Sequence, residues 1–494
     1  MEIPSLARTG IDGLDEVLRG GLPPGRIYMV QGSPGSGKTT LGLHFLLEGR
    51  NAGEPVLFIS LSETLEELES GARSHGWTLD GIEVQVHALT DRRREEQTVF
   101  LAAQVELPEL MQEIMAGVES AAPSRVVIDS LSEFRLLAGT AHRYRREMIG
   151  LKQFFSSRGC TVLLLDDQSL SGPDGSFELQ SLAHGVVELD EIAPDFGPAR
   201  RRLRVRKIRG VPMRTGWHDY MIATGGLAVF PRLIAAEFRR PFVNGTASTG
   251  SPELDGMLGN GIDRGSGTLL IGPAGVGKSS IATLCTHAAA QRGERVAVYL
   301  FDERLPTFFK RASGLGLDLE PFVDSGLVTI QQIDPAERTP GQFARDVKDE
   351  IECRGARVIV IDSLTGYLNS MSQERNLVLQ LHELLSYTGQ LGVVSLLVFS
   401  QHGLFTPMPA PVDVSYLADN IVLLRHYEYG AELRQTLSVF KCRSGPHDRS
   451  LRKFVLGPGG IHIGPPLKEL RGVLGGIPEL MGHGGGIVAT RAPA

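Results

Sequence analysis

Two copies of one eight-residue pattern, half a chain apart, constrain this sequence more than any other feature. Gly32-Ser33-Pro34-Gly35-Ser36-Gly37-Lys38-Thr39 fits G-x-x-x-x-G-K-[ST], and so does Gly272-Pro273-Ala274-Gly275-Val276-Gly277-Lys278-Ser279. Lys38 and Lys278 lie 240 positions apart in a chain of 494 residues, which reads as one module written twice. Glycines let a backbone curl until successive N–H groups face one anion. A helix starting at the lysine adds unpaired N–H groups and its positive dipole end. The lysine then reaches the β- and γ-phosphates of ATP, and the Thr39 or Ser279 hydroxyl reaches Mg²⁺. Thr40 and Ser280, next along, are counted with the same nucleotide-binding set. Strand-like runs precede both loops (Arg26 to Val30, Thr268 to Ile271), and helical apolar patterns follow them.

The two halves repeat in order. Thr9-Gly10-Ile11-Asp12-Gly13-Leu14-Asp15 has its counterpart in Thr249-Gly250-Ser251-Pro252-Glu253-Leu254-Asp255. Val56 to Glu63 matches Val296 to Glu303, and two apolar runs end in Asp129-Ser130 and Asp362-Ser363. Further strand-like runs occur at Thr161 to Leu165 and Val393 to Ser400. Unbroken apolar strands alternating with helices predict a mainly parallel sheet flanked by helices, with ligands at the strands' carboxyl ends. The expected architecture is α/β, two tandem RecA-like P-loop domains over 1–240 and 241–464, with a Gly/Pro-rich tail at 465–494. A short helix is expected near Leu467 to Leu474.

At this length one core is not expected. A hydrophobic share of 42% and a charged share of 22% suit a soluble globular protein. There is no apolar run long enough to span a bilayer and no secretory signal, so no membrane association is expected. Four scattered cysteines fit a reducing cytoplasm. A formal net charge of −7 argues against a nucleic-acid coat. Arg200 to Lys207 is the most basic stretch, read as a nucleic-acid contact, a subunit contact or a solvated strand. Arg92-Arg93-Arg94-Glu95-Glu96 is read as a surface loop.

Chemistry can be assigned to several residues. Asp129 and Asp362 end apolar strands, as carboxylates that hold Mg²⁺ do; the alternative is a strand-end turn cap. Glu63, Asp302 and Glu303 are candidates to orient or deprotonate an attacking water, against the alternative of first-turn acids favoured by a helix dipole. Lys207 with Arg209, and Lys441 with Arg443, recur near the end of each half. Alternation places each pair on one strand face, where it could reach a γ-phosphate bound by a neighbouring subunit or simply meet solvent.

Together these residues resemble the KaiC family of clock-type ATPases, from about Leu6 to about Gly475. The resemblance rests on the doubled opening, both loops, Ala72-Arg73-Ser74-His75-Gly76-Trp77, both Asp-Ser strands, Lys-x-Arg-Gly, and Val439-Phe440-Lys441-Cys442-Arg443 with His447-Asp448. It implies a double-ring homohexamer with ATP at subunit interfaces, hydrolysis in the first ring and reversible Ser/Thr autophosphorylation in the second. Ser74 and His447 join the implied nucleotide contacts, and a clock-type or signalling protein is the implied partner. The family's paired glutamates are Ser62-Glu63 and Asp302-Glu303 here, its adjacent phosphosites are Ser415-Tyr416, and Ser444 replaces a glycine. Ser415 is thus the retained candidate phosphosite. Two other classes fit the same loops: a DNA-dependent motor of the RecA or DnaB type, and a regulatory module using ATP as a structural ligand.

Overall fold

Val-, Ile- and Leu-rich runs form the strands, and the computed structural model describes residues 5–87, 102–167, 180–193, 197–334, 336–370, 377–401, 415–429, 431–457, 460–472 and 479–480. The chain divides into two compact units, Met1–Arg232 and Leu233–Ala494. Residues 233–240, assigned to the first domain by sequence, pack within the second unit. The Ala235 amide donates to Glu383 at 3.0 Å, and Phe238 meets Tyr387 edge-on. The Arg92–Glu96 run lies outside the described residues.

The first unit opens with α1 (Asp12–Val17), β1 (Ile27–Gly32), α2 (Lys38–Asn51), β2 (Val56–Ser60), α3 (Leu65–Ser74) and β3 (Glu83–Val86). It continues through α4 (Ala102–Ala121), β4 (Arg125–Asp129), α5 (Leu131–Ala138), α6 (Ala141–Arg158) and β5 (Thr161–Asp167). Strands β6 (Gly185–Ile192), β7 (Arg200–Ile208), β8 (His218–Ala223) and β9 (Gly226–Phe230) complete it. The nine strands run β3-β2-β4-β5-β1-β6-β7-β8-β9. Pairing is parallel from β3 to β6 and antiparallel from β6 to β9.

The second unit repeats this with β10 (Thr246–Ala247), α7 (Pro252–Met257), β11 (Ile262–Asp263), β12 (Gly267–Gly272), α8 (Lys278–Gln291), β13 (Val296–Leu300) and α9 (Leu305–Gly314). Then come α10 (Glu320–Asp324), β14 (Val328–Gln332), α11 (Pro340–Glu352), β15 (Val358–Asp362), α12 (Leu364–Ser370), α13 (Leu377–Gln390) and β16 (Val394–Ser400). Strands β17 (Asn420–Tyr429), β18 (Glu432–Cys442), β19 (Arg452–Gly457) and β20 (Gly460–Pro466) follow. The order β14-β13-β15-β16-β12-β17-β18-β19-β20 reproduces the first sheet position by position.

Strand alternation splits each unit's apolar residues between two cores. Tyr28, Val30, Phe58 and Val127 enter one, while Ile27, Met29, Leu57, Ile59 and Val126 enter the other. In the second unit Leu270, Val298 and Val360 face one core, and Leu269, Ala297, Tyr299 and Ile359 the other. The helix expected near Leu467 does not form among the described residues. Leu470–Arg471 is instead a short strand (β21) paired with Glu479–Leu480 (β22), and Gly472 takes a left-handed φ of +73° that ends any helical run.

The Thr-Gly openings have a structural cause. The Thr9 amide and hydroxyl both donate to Asp15 Oδ1 at 2.8 Å; Thr249 does the same to Asp255 at 2.7 Å. The carboxylate clamps the chain where it enters the first helix. Asp15→Ala and Asp255→Ala should each cost about 1–3 kcal/mol, since each leaves polar groups unpaired in a buried turn. Thermal unfolding would read this as a lowered midpoint; unchanged midpoints would contradict it.

Candidate functional site

Strand β1 delivers Gly32 to the middle of the sheet's carboxyl edge, and the chain then curls before α2. Gly35 and Gly37 take φ of +80° and +88°, a region costly for any side chain with a Cβ. Ser33, Pro34 and Gly35 form the exposed crown, while the Ser36 hydroxyl donates to the Ser33 carbonyl at 2.7 Å. The buried Lys38 ammonium lies inside the curl. It donates to the carbonyls of Gly32 (3.2 Å) and Ser33 (2.9 Å) and meets Asp167 at 2.5 Å. The Thr39 hydroxyl donates to Asp129 Oδ2 at 2.5 Å, which brings both proposed metal ligands together. Thr40 Oγ1 lies 3.4 Å from His75 Nε2.

Burial pushes the Asp129 carboxyl above its ordinary range, against the pull of the Thr39 bond and the Lys38 charge. Glu63 follows β2 and is held at its backbone by Ser60, whose hydroxyl donates to the Glu63 carbonyl and accepts from its amide. Burial raises its carboxyl too, and the charges of Asp129 and then Glu67 add to the shift.

The second site has the same skeleton and different wiring. Gly275 and Gly277 are left-handed, at +74° and +102°. Gly272, Pro273 and Val276 are buried and Ala274 is exposed. The Lys278 ammonium donates to the Pro273 carbonyl at 2.7 Å. Opposite Gly272 in the sheet stands Ser400, where the first unit has Asp167 opposite Gly32. Burial lowers Lys278 to about 8, with Asp362 opposing. Ser279 bonds Asp362, whose carboxyl is raised to about 6, chiefly by burial. Ser280 is buried in the first turn of α8. Asp302 accepts a hydrogen bond from Ser363. Glu303 is gripped by a two-pronged ion pair from Arg311, at 3.1 and 2.7 Å.

These residues suit a magnesium nucleotide. The Lys278 ammonium, depressed by burial at the start of a helix, is matched by phosphate charge. A hydroxyl–carboxylate pair offers the hard oxygens that Mg²⁺ prefers. Sequence reasoning missed Asp167, because its strand was read as ending at Leu165. It also missed Arg311, whose role depends on α9 folding back over the preceding turn.

Other predicted residues lie elsewhere. The Lys207 ammonium donates to the Gln180 carbonyl, and Arg209 donates to Ser181 at 2.7 Å. Lys207 pairs with Val186 and the Arg209 amide bonds the His184 carbonyl, beside the start of β1. This cation pair is therefore at the opposite end of the strand from its own loop. Lys441 likewise donates to the carbonyls of Ser415 (3.0 Å) and Ala418 (2.7 Å), and Arg443 to that of Tyr416 (3.1 Å). Ser415 thus sits by the entry of β12, away from the second loop. The Ser74 hydroxyl bonds back to the Gly71 carbonyl at an exposed helix end, and His447 accepts from Arg449 at 3.4 Å. The basic strand β7 is neutralised by its neighbour. Arg201, Arg202 and Arg204 pair with Glu191, Asp190 and Glu188, and the latter two arginines also stack on Trp217. Among the described residues no helix is long and apolar enough to cross a membrane.

Comparison with known proteins gives the same outline. The family model for the KaiC ATPase matches residues 7–234 and again 247–468. The circadian clock oscillator protein KaiC of Parathermosynechococcus lividus is 27% identical over 479 residues, covering 95% of this chain and 87% of the relative. That of Parasynechococcus marenigrum is 25% identical over 477 residues, covering 95% and 92%. The circadian clock protein KaiC3 of Synechocystis is 26% identical over 481 residues, covering 95% and 94%. With both repeats matched and both nucleotide loops in place, the chain belongs to the KaiC family of ATPases.

Proposed function

We propose that this ATPase works as a double-ring homohexamer in clock-type or signalling regulation, under a protein partner, with ATP bound between neighbouring subunits. One observation carries the reading: Lys207-Arg209 and Lys441-Arg443 stand at the entry end of each sheet, while the loops stand at the exit end. A unit cannot bring its own pair onto its own nucleotide, but a neighbour in a ring can, as an arginine finger does.

Within one interface Lys38 and the loop amides bind the triphosphate, and Thr39 and Asp129 hold the metal. Lys278, Ser279 and Asp362 do the same in the second ring. Mg²⁺, when bound, supplies charge neutralisation at the phosphates. Glu63, its basicity raised by burial and by Asp129, takes a proton from water as the water oxygen bonds to the γ-phosphorus and the bridging bond to ADP breaks. Ser415 is the serine we assign to phosphoryl transfer. Its distance from its own loop makes a neighbour's ATP the donor, and Lys441 fixes its backbone.

Mixing tests the interface. Arg209→Ala and Glu63→Gln chains should each be slow alone, yet mixed rings should regain phosphate release, because some interfaces combine an intact Glu63 with an intact neighbouring Arg209. No recovery at any ratio, with six-chain assemblies seen by native mass spectrometry, would contradict the shared site.

Acid should weaken the second site. Burial pushes the Asp362 carboxyl up to about 6, so it is ionised above that pH and protonated below it. Metal binding must then displace a proton. Magnesium-dependent nucleotide affinity in a Lys38→Ala chain should fall as pH drops through about 6, and Asp362→Asn should remove that dependence.

A further inference from the structure

The two candidate water-activating glutamates are equivalent by position and unequal by contact. Glu303 stands 240 positions after Glu63, as Lys278 stands after Lys38. Applied to Arg311, the same offset gives Gly71, which has no side chain. Arg311 Nε and Nη2 take one Glu303 oxygen each, and Nη1 donates to Thr283 Oγ1 at 3.0 Å. The counterpart of Thr283 is Leu43, so the support for the guanidinium is also confined to the second half. Phe308 lies under the guanidinium, 5.2 Å from ring centre to Cζ. Both ionic side chains are only about a fifth exposed. A planar fork matched to both carboxylate oxygens on an apolar shelf is a well-defined pair, not a loose surface contact.

We propose that Arg311 is a positioning residue that restrains Glu303 and so limits hydrolysis at the second site. A general base must aim a carboxylate lone pair at the water whose proton it removes. Arg311 engages both oxygens and turns them toward α9; Glu63 and Glu303 each neighbour a strand-end carboxylate, Asp129 and Asp362, but among the described residues only Glu303 also meets a guanidinium. The chemistry restrained is the same hydrolysis: a water oxygen bonds to the γ-phosphorus, its proton goes to Glu303, and ADP leaves. The inference rests on the ATPase reading above and refines it by naming the side chain that holds back the second site.

The test uses the full chain carrying Glu63→Gln, which silences the first site. Adding Arg311→Ala should raise the remaining kcat for phosphate release about tenfold, a modest share of the hundredfold or more that a positioned base contributes. The KM for ATP should stay nearly constant. Arg311→Lys keeps the charge but cannot form the fork, and should fall between. Adding Glu303→Gln to Arg311→Ala should abolish the gain. A lower kcat or a raised KM in Arg311→Ala would mean that the guanidinium serves the phosphates and would overturn the proposal. A gain that survives Glu303→Gln would also overturn it, assigning the base to Asp302. If Arg311→Ala fails to bind a fluorescent ATP analogue, Arg311→Lys decides alone, by a rise or its absence. An unmutated chain with no turnover at either site would sink the ATPase reading itself, a different failure.

Discussion

The left-handed backbone at Gly37 and Gly277 is the constraint on which both sites depend. These residues cap α2 and α8 and turn the helix N-termini into the loops. A side chain there would be strained and would have to push its neighbours aside. A Cβ at Gly37 would fall 2.7 Å from Ile222, and one at Gly277 would fall 2.7 Å from Phe454 and 2.8 Å from Leu456. Those apolar neighbours come from β8 and β19, in the antiparallel extensions of the two sheets. The extension thus does more than widen the sheet. It presses on the loop from behind and holds its amides where an anion can meet them.

Around that shared frame the electrostatics of the two sites diverge. Lys38 is met by Asp167, while the equivalent strand end beside Lys278 is Ser400. The second lysine consequently carries its charge with less compensation, and burial takes it down to about 8. The candidate bases diverge in the opposite sense: Glu63 has the carboxylates of Asp129 and Glu67 as its charged neighbours, while Glu303 has the Arg311 guanidinium beside it as well as Asp362. A duplicated module has kept its backbone and changed the charges around its two loops.

Much of this is legible in the residues alone. Both loops, both metal-type aspartates and the alternation of buried strands follow from local pattern, because backbone geometry and pleat periodicity act over a few residues. The repeat offset extends this to pairs such as Thr9 with Asp15, whose contact spans six positions. What local pattern does not carry is long-range charge pairing. The Asp167 partner of Lys38 comes from a strand whose apolar run stops at Leu165, and Arg200 to Lys207 reads as an open basic patch until Glu188, Asp190 and Glu191 are seen across the ladder. The expected helix after Leu467 fails because Leu470 finds a strand partner in Leu480 and Gly472 turns left-handed. The Lys-x-Arg pairs were readable as a motif, but only the parallel register shows that they stand at the end of the sheet away from their own loop.

Counting bound nucleotides tests the central claim, two competent phosphate loops per chain, most directly. Calorimetric titration of the full chain with a non-hydrolysable ATP analogue and Mg²⁺ should give two sites per polypeptide, falling to one in Lys38→Ala and to one in Lys278→Ala. A stoichiometry below two in the unmutated chain, or one that either lysine substitution leaves unchanged, would contradict it.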